Sequence, residues 1–194
     1  MATRKGTQTR DRILEATADL LRRRGYNGTG LKEIVKASEA PFGSIYHFFP
    51  GGKEELGAEA IRVAGRTYNA LIGAFYENAD DIPATTKAFF DGAAEVLRVT
   101  DYEDACPIAT VALEVASLSE PMRVASGEVF ESWITDLCAD FEALGMERAK
   151  TRDVAVLCLM LIEGAFLLCR TWKDTTPMEI AGRTAVDAVR AALG

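Results

Sequence analysis

The chain holds a single histidine, His47, and it lies in the run PFGSIYHFF at residues 41–49, with Ser44 and Tyr46 close by. A Ser-His-acid arrangement for acyl transfer would have to use that one imidazole from inside a short helix. No glycine-rich phosphate loop or metal-spaced cluster accompanies it. Enzymatic chemistry is therefore disfavoured, with no catalytic residue, metal or cofactor expected; a small helical enzyme is the weakest alternative. The same side chains suit another task, because hydroxyl, phenol and imidazole groups on an exposed helical face can meet base edges and phosphates.

The elements that must hold these groups can be read on either side of them. In residues 31–38, LKEIVKAS, the apolar Leu31, Ile34 and Val35 face inward. Thr29 and Gly30 offer N-terminal capping, with Glu33 able to reach back as in a capping box. A break follows at residues 38–40, and Pro41 suits the first position of the next helix, where its missing N–H would be unpaired anyway. Ile45 and Phe49 stand four apart and anchor that helix, leaving Gly43, Ser44 and His47 pointing elsewhere and Tyr46 on the flank. The whole of residues 31–53 reads as a helix-turn-helix with its reading surface exposed. Before it, Ile13, Ala16, Thr17, Leu20 and Leu21 form one buried stripe that Gly25 closes. Arg4, Lys5 and Arg10 make a basic lead-in that either lies on a phosphate backbone or is a solvated terminus.

A formal charge of −7 argues against a nucleic-acid partner until it is divided along the chain. Residues 1–53 hold ten Lys/Arg and five Asp/Glu, whereas residues 54–194 hold twelve and twenty-four. A basic head on an acidic body attracts phosphate to one end only.

With these residues in place, the run G-Y-x-G-T-G-L-K-E-I-V…A-P-x-G-S-I-Y-H-x-F-P-G-G-K-E-E-L over residues 25–56 resembles the DNA-binding domain of the tetracycline-repressor-like (TetR) regulators. The Pro-Gly-Gly-Lys turn resembles the LmrA/YxaF-like branch. The resemblance implies an all-α fold of about nine helices. Residues 6–66 would form a three-helix helix-turn-helix domain, and residues 67–194 a larger helical domain for effector binding and dimerisation. By position, the implied DNA contacts are Thr29, Lys32, Pro41, Phe42, Gly43, Ser44, Tyr46, His47 and Lys53. Two residues depart from the pattern: Glu39 stands where the family has glycine in the turn, and Phe42 where a lysine or other polar residue is common. Phe42 removes a phosphate contact, so it either packs on a thymine methyl or weakens non-specific affinity. The implied partners are a double-stranded DNA operator, a small-molecule effector of unknown identity and a second copy of the chain.

Beyond residue 53 a helix should run to about Asn78, and the next, 84–99, should bury Ala88, Phe89, Val96 and Leu97. Pro107 starts another, with Ile108, Val111, Ala112 and Val115 on one face. From residue 119 on, Phe130, Ile134, Leu137, Phe141 and Leu144 repeat at alternating three and four before Gly145. No stretch alternates with period two, so no sheet is expected. Residues 154–169 are apolar nearly all round except for Glu163; the run is shorter than the ~20 residues that span a bilayer. It reads as a buried helix, part of whose surface meets another subunit, and no membrane partner is expected. Ala181, Ala185, Ala188 and Ala192 form a small-residue stripe that would let a further helix approach, which fits the four-helix dimer interface the resemblance implies.

Phe130, Trp133, Leu137, Phe166 and Trp172 are either core or the lining of an apolar effector cavity. The candidate pocket set is Cys106, Phe130, Trp133, Leu137, Glu163, Phe166 and Arg170. Glu163 needs a partner on so apolar a helix, either an arginine such as Arg170 or a ligand. Cys106, next to Pro107, is a sensor thiol of a redox-responsive regulator or simply a small apolar residue. The four cysteines include no C-x-x-C pair and read as reduced thiols. With no apolar leader after Met1, a cytoplasmic location is expected.

Overall fold

The computed structural model describes residues 4–104 and 106–194, with side chains from Gly6 onward. The side chains of Arg4 and Lys5, assigned above to the basic lead-in, lie outside the described residues. Nine helices and no strand occur among the described residues: α1 Arg4–Arg24, α2 Leu31–Ser38, α3 Gly43–Phe48, α4 Gly52–Tyr76, α5 Ile82–Val99, α6 Pro107–Val115, α7 Glu120–Ala143, α8 Arg148–Trp172 and α9 Thr176–Leu193. The chain divides into two compact units, Met1–Thr67 with Cys106–Phe130, and Tyr68–Ala105 with Glu131–Gly194. The expected division at residue 66 left out the 106–130 segment, which the first unit includes.

In the first unit Ile13, Leu14 and Leu21 of α1 are buried together with Ile34, Ile45, Phe49, Leu56 and Ile61. α6 packs on α1 and contributes Ile108, Val111 and Val115, all fully buried. Two glycines let α7 approach α4 closely. A Cβ at Gly57 would stand 2.8 Å from Met122 Cε, and one at Gly65 2.5 Å from Val129 Cγ1, distances that no real side chain tolerates without displacement.

The second unit is built from α5, α8 and α9 with the later parts of α4 and α7. The burial phase of α5 differs from the expected one. Ile82, Thr86, Phe90, Ala94 and Leu97 are buried, while Ala88 is exposed and Val96 is 44% exposed. The reason is Thr86, a polar residue whose hydroxyl lies 3.3 Å from the Tyr76 hydroxyl, so its burial leaves no unpaired group. Asp81 caps this helix by accepting from Ala84 N at 2.9 Å.

The alanine stripe of α9 also has a different use. Ala181, Ala185 and Ala192 are buried in this chain's own core, where α9 packs on α5 and α8, and a Cβ at Gly182 would meet Phe90 Cβ at 2.9 Å. Small residues are needed here for intrachain packing. α8 is 25 residues long, and by length and composition it would pass for a membrane span, as core helices of soluble proteins also do. It buries Val154, Ala155, Cys158, Ile162, Ala165 and Cys169 but leaves Met160, Leu167, Leu168 and Trp172 exposed, so within a single chain it is not buried all round.

Candidate nucleic-acid interface

Glu33 sets the start of α2: its carboxylate accepts from the Gly30 amide at 3.1 Å, and that bond holds the carboxyl below its usual range. Only the returning half of the expected capping box is formed, because glycine at the cap has no side chain to accept from the Glu33 amide. Thr29 points inward instead, fully buried, its hydroxyl donating to the Gly25 carbonyl at 2.8 Å. Its side chain is therefore unavailable to DNA and leaves the candidate set.

α2 ends on Glu39, whose φ of 50° and ψ of 35° are left-handed. That conformation favours glycine and costs an L residue roughly 1–2 kcal/mol. Ala40 N returns to Val35 O at 3.3 Å, which closes the turn. Glu39 thus itself adopts the left-handed conformation that glycine takes at lower cost. Pro41 precedes the regular helix: Ser44 N bonds to its carbonyl at 2.9 Å, Phe42 is already helical, and α3 proper begins at Gly43, two residues later than expected.

Ile45 and Phe49 are fully buried and fix α3 from beneath. Pro41, Phe42, Gly43, Tyr46 and His47 are exposed above them, with Ser44 half-buried. An open depression is lined by Pro41, Gly43, Ser44, His47 and Phe48 together with Gly6, Thr9 and Arg12 of α1. Thr9 and the exposed Arg12 are members that sequence reading missed. Their signal was the three-residue spacing of Gly6, Thr9 and Arg12 beside the buried Ile13, which a count of charges overlooks. Lys32 and Lys36 stand exposed on α2.

Two cations have internal partners. Arg10 pairs with Glu59 and lies 5.3 Å over the Phe49 ring, so it braces α3 from below. Lys53 donates to the Tyr26 carbonyl at 2.7 Å and sits 3.9 Å from the centre of the Tyr26 ring. Burial lowers its pKa, opposed by the nearby Glu114. Glu114, on α6, accepts from the Tyr26 amide and from Asn27 Nδ2 at 3.4 Å. Gly25, at φ +68°, is where a Cβ would stand 2.5 Å from Glu114 Oε2, so glycine serves both the turn and that approach.

The candidate pocket residues are divided between the units. Cys106 and Phe130 belong to the first, and Trp133, Leu137, Glu163, Phe166 and Arg170 to the second. Cys106 is 5% exposed and its Sγ accepts from Ala109 N at 3.4 Å at the start of α6. Trp133 is buried; Leu137 and Phe166 pack against the core of the second unit, and Phe130 and Glu163 are half-buried. Arg170 Nε donates to the Tyr102 carbonyl at 3.1 Å. Tyr102 and Asp101 are both left-handed, with φ of 62° and 47°, and Asp101 pairs with Lys173 at 3.0 Å. Arg170 and Lys173 thus brace a strained turn.

A short helix held from below, open above and entered over a left-handed turn defines a helix-turn-helix regulator. Residues 13–60 match the family model described as bacterial regulatory proteins, tetR family. Residues 83–184 match that of the transcriptional regulator LmrA/YxaF-like C-terminal domain. The chain belongs to the TetR family of DNA-binding transcriptional regulators, in its LmrA/YxaF-like group. It is 35% identical over 170 residues to the HTH-type transcriptional regulator YxaF of Bacillus subtilis, covering 88% of this chain and 89% of that one. It is 32% identical to LmrA of the same organism, covering 88% and 90%. Among solved structures, the reduced form of Escherichia coli NemR superposes with a TM-score of 0.77 at 23% identity, over 91% of this chain and 94% of that one. A TetR-family regulator from Cytophaga hutchinsonii superposes at 0.80 and 20%, over 99% and 98%. These two likenesses speak to the fold alone.

Proposed function

We infer that the chain acts in the cytoplasm as a homodimeric repressor, with no catalytic activity and no membrane partner, bound to a palindromic operator and released by a small apolar effector. The observation that carries the DNA reading is the exposed face of α3, with Gly43, Ser44, Tyr46 and His47 held over the buried Ile45 and Phe49. In this reading α3 enters the major groove, Lys32 and Arg12 meet phosphates, and Lys53 uses a second of its three N–H donors on the backbone while the first stays on Tyr26. Two heads would dock in successive major grooves about 34–36 Å apart or somewhat beyond.

The dimer face in this reading is the exposed apolar side of α8, Met160, Leu167, Leu168 and Trp172, with Ile180 of α9. The region from residue 67 onward provides effector binding, with Trp133, Leu137, Glu163 and Phe166 as first candidates. Release requires the effector to bind the DNA-incompetent arrangement more tightly; a tenfold preference supplies ~1.4 kcal/mol per site. Footprinting on the duplex flanking the chain's own gene, repeated with apolar compounds, tests both parts. Protection of a palindrome, lost with one compound, is the expected result; no protected duplex at low salt refutes it.

A thiol-based trigger is the second reading, favoured by the position of Cys106 at the start of α6, where a helix dipole supports a thiolate. Its burial to 5% exposure weighs against access. Operator affinity is therefore expected to be unchanged by mild peroxide, and a loss that disappears in Cys106→Ser would transfer the trigger to this thiol.

A further inference from the structure

Among the described residues of the helix-turn-helix, two large apolar side chains stay open to solvent: Phe42, 47% exposed, and Tyr46, 52% exposed. Their rings lie 6.2 Å apart with a 54° tilt. Phe42 is in helical conformation at the leading end of α3. Beside it, a Cβ at Gly43 would meet nothing within 4 Å, so nothing among the described residues crowds this corner. The surface around the depression on which Pro41 and Gly43 lie includes the exposed Arg12, and α2 adds the exposed Lys32 and Lys36. An exposed phenylalanine on a unit that also exposes these cations suits a partner that is anionic in bulk and apolar at one point.

A DNA major groove is such a partner. Its base edges present donors and acceptors, and the apolar group projecting among them is the C5 methyl of thymine. A phenyl ring can neither hold a phosphate nor hydrogen-bond to a base edge, so its favourable contact in that groove is burial against this methyl. The geometry points to Phe42, with Tyr46 packed beside it, as a thymine-methyl reader: each operator half-site carries a T·A pair beneath the leading end of α3, with the thymine methyl on the Phe42 ring. The inference rests on α3 being the groove-entering helix, and it adds a specificity determinant to that reading.

The test uses the full chain and the duplex it protects, resynthesised with deoxyuridine in place of thymidine at one symmetric pair of positions at a time. Deoxyuridine lacks the methyl and keeps the pairing. At one symmetric pair, uridine is expected to weaken binding about fourfold per half-site, while the other positions change little. Phe42→Ala, at a half-exposed position where folding is checked by melting, is expected to bind the thymidine and uridine duplexes equally. Phe42→Leu, still apolar, keeps a thymidine preference. Equal affinity of the unsubstituted chain for every uridine duplex overturns the inference, and so does a thymidine preference that survives in Phe42→Ala. A chain that binds the duplex but changes oligomeric state on loss of the Phe42 ring assigns the ring to a protein contact and also overturns it. Failure to protect any duplex would instead remove the groove reading itself, a distinguishable result.

Discussion

The Lys53 ammonium lies between the carbonyl and the ring of one residue, Tyr26, donating to the first at 2.7 Å and resting 3.9 Å from the centre of the second. It joins the start of α4 to the connection between α1 and α2. A lysine positioned by resemblance as a phosphate contact is therefore also a structural clamp.

Lys53→Met keeps the stem and removes the charge and its donors. The side chain is only partly buried, so solvent screening brings the expected loss in unfolding free energy to about 1 kcal/mol, below the range for a buried charged hydrogen bond. Urea titration measures it. If Lys53 also meets a phosphate, the salt slope of operator binding falls by about one in the same variant; an unchanged slope leaves it the clamp role alone.

Glu39→Gly places glycine in the left-handed turn between α2 and α3. Relief of the backbone cost, offset by the greater freedom of glycine in the unfolded chain, is expected to raise stability by up to about 1 kcal/mol. Glu39→Val, branched at Cβ, should lower it. A melting series that ranks valine above glycine would show that φ at this position does not limit stability.

Much of the head was legible because short-range patterns dictate it: the Pro-Gly-Gly turn, the Ile45 and Phe49 pair and the Gly25 stop each specify local geometry. The phase of α5 was not, since the Tyr76–Thr86 hydroxyl pair that lets a threonine occupy the core joins two helices and leaves no local trace. Nor does a sequence show that a cation already has a partner inside the chain, as Arg10 has in the Glu59 carboxylate and Lys53 in the Tyr26 carbonyl. The alanines of α9 marked a close helix approach correctly but could not say whose helix, and Phe90 of the same chain takes the space beside Gly182.

Burial pushes the Cys158 thiol up to about 12, against an ordinary value of 9.0. Between these values the folded chain keeps a proton that the unfolded chain releases, so stability is retained below pH 9 and lost as pH rises, by at most about 1.4 kcal/mol per unit for this site. Cys169, and Tyr76 at higher pH, are shifted upward by burial as well and add to the same trend. Denaturant titrations from pH 8 to 11 should show falling stability, with a shallower fall in Cys158→Ala. Parallel curves for the two chains would contradict the assignment.

Leu167 is 63% exposed on the apolar face of α8, near Trp172 in sequence at 62%. Leu167→Glu is expected to convert the dimer to a folded monomer and to weaken operator binding steeply, because each head then docks alone. Light scattering reads the mass, and a mass unchanged at micromolar concentration would place the interface elsewhere.

Tyr26 is pinned from both sides, its amide by Glu114 of α6 and its carbonyl by Lys53 of α4, and Val111, Val115 and Met122 from beyond residue 105 are fully buried in the same unit. The compact unit that holds the helix-turn-helix is thus discontinuous in the chain. A gene fragment cut after the helix-turn-helix would encode the reading helix without the segment that encloses its foundations. Portability therefore belongs to the composite of both segments, and any graft of this specificity onto another protein must carry the two together.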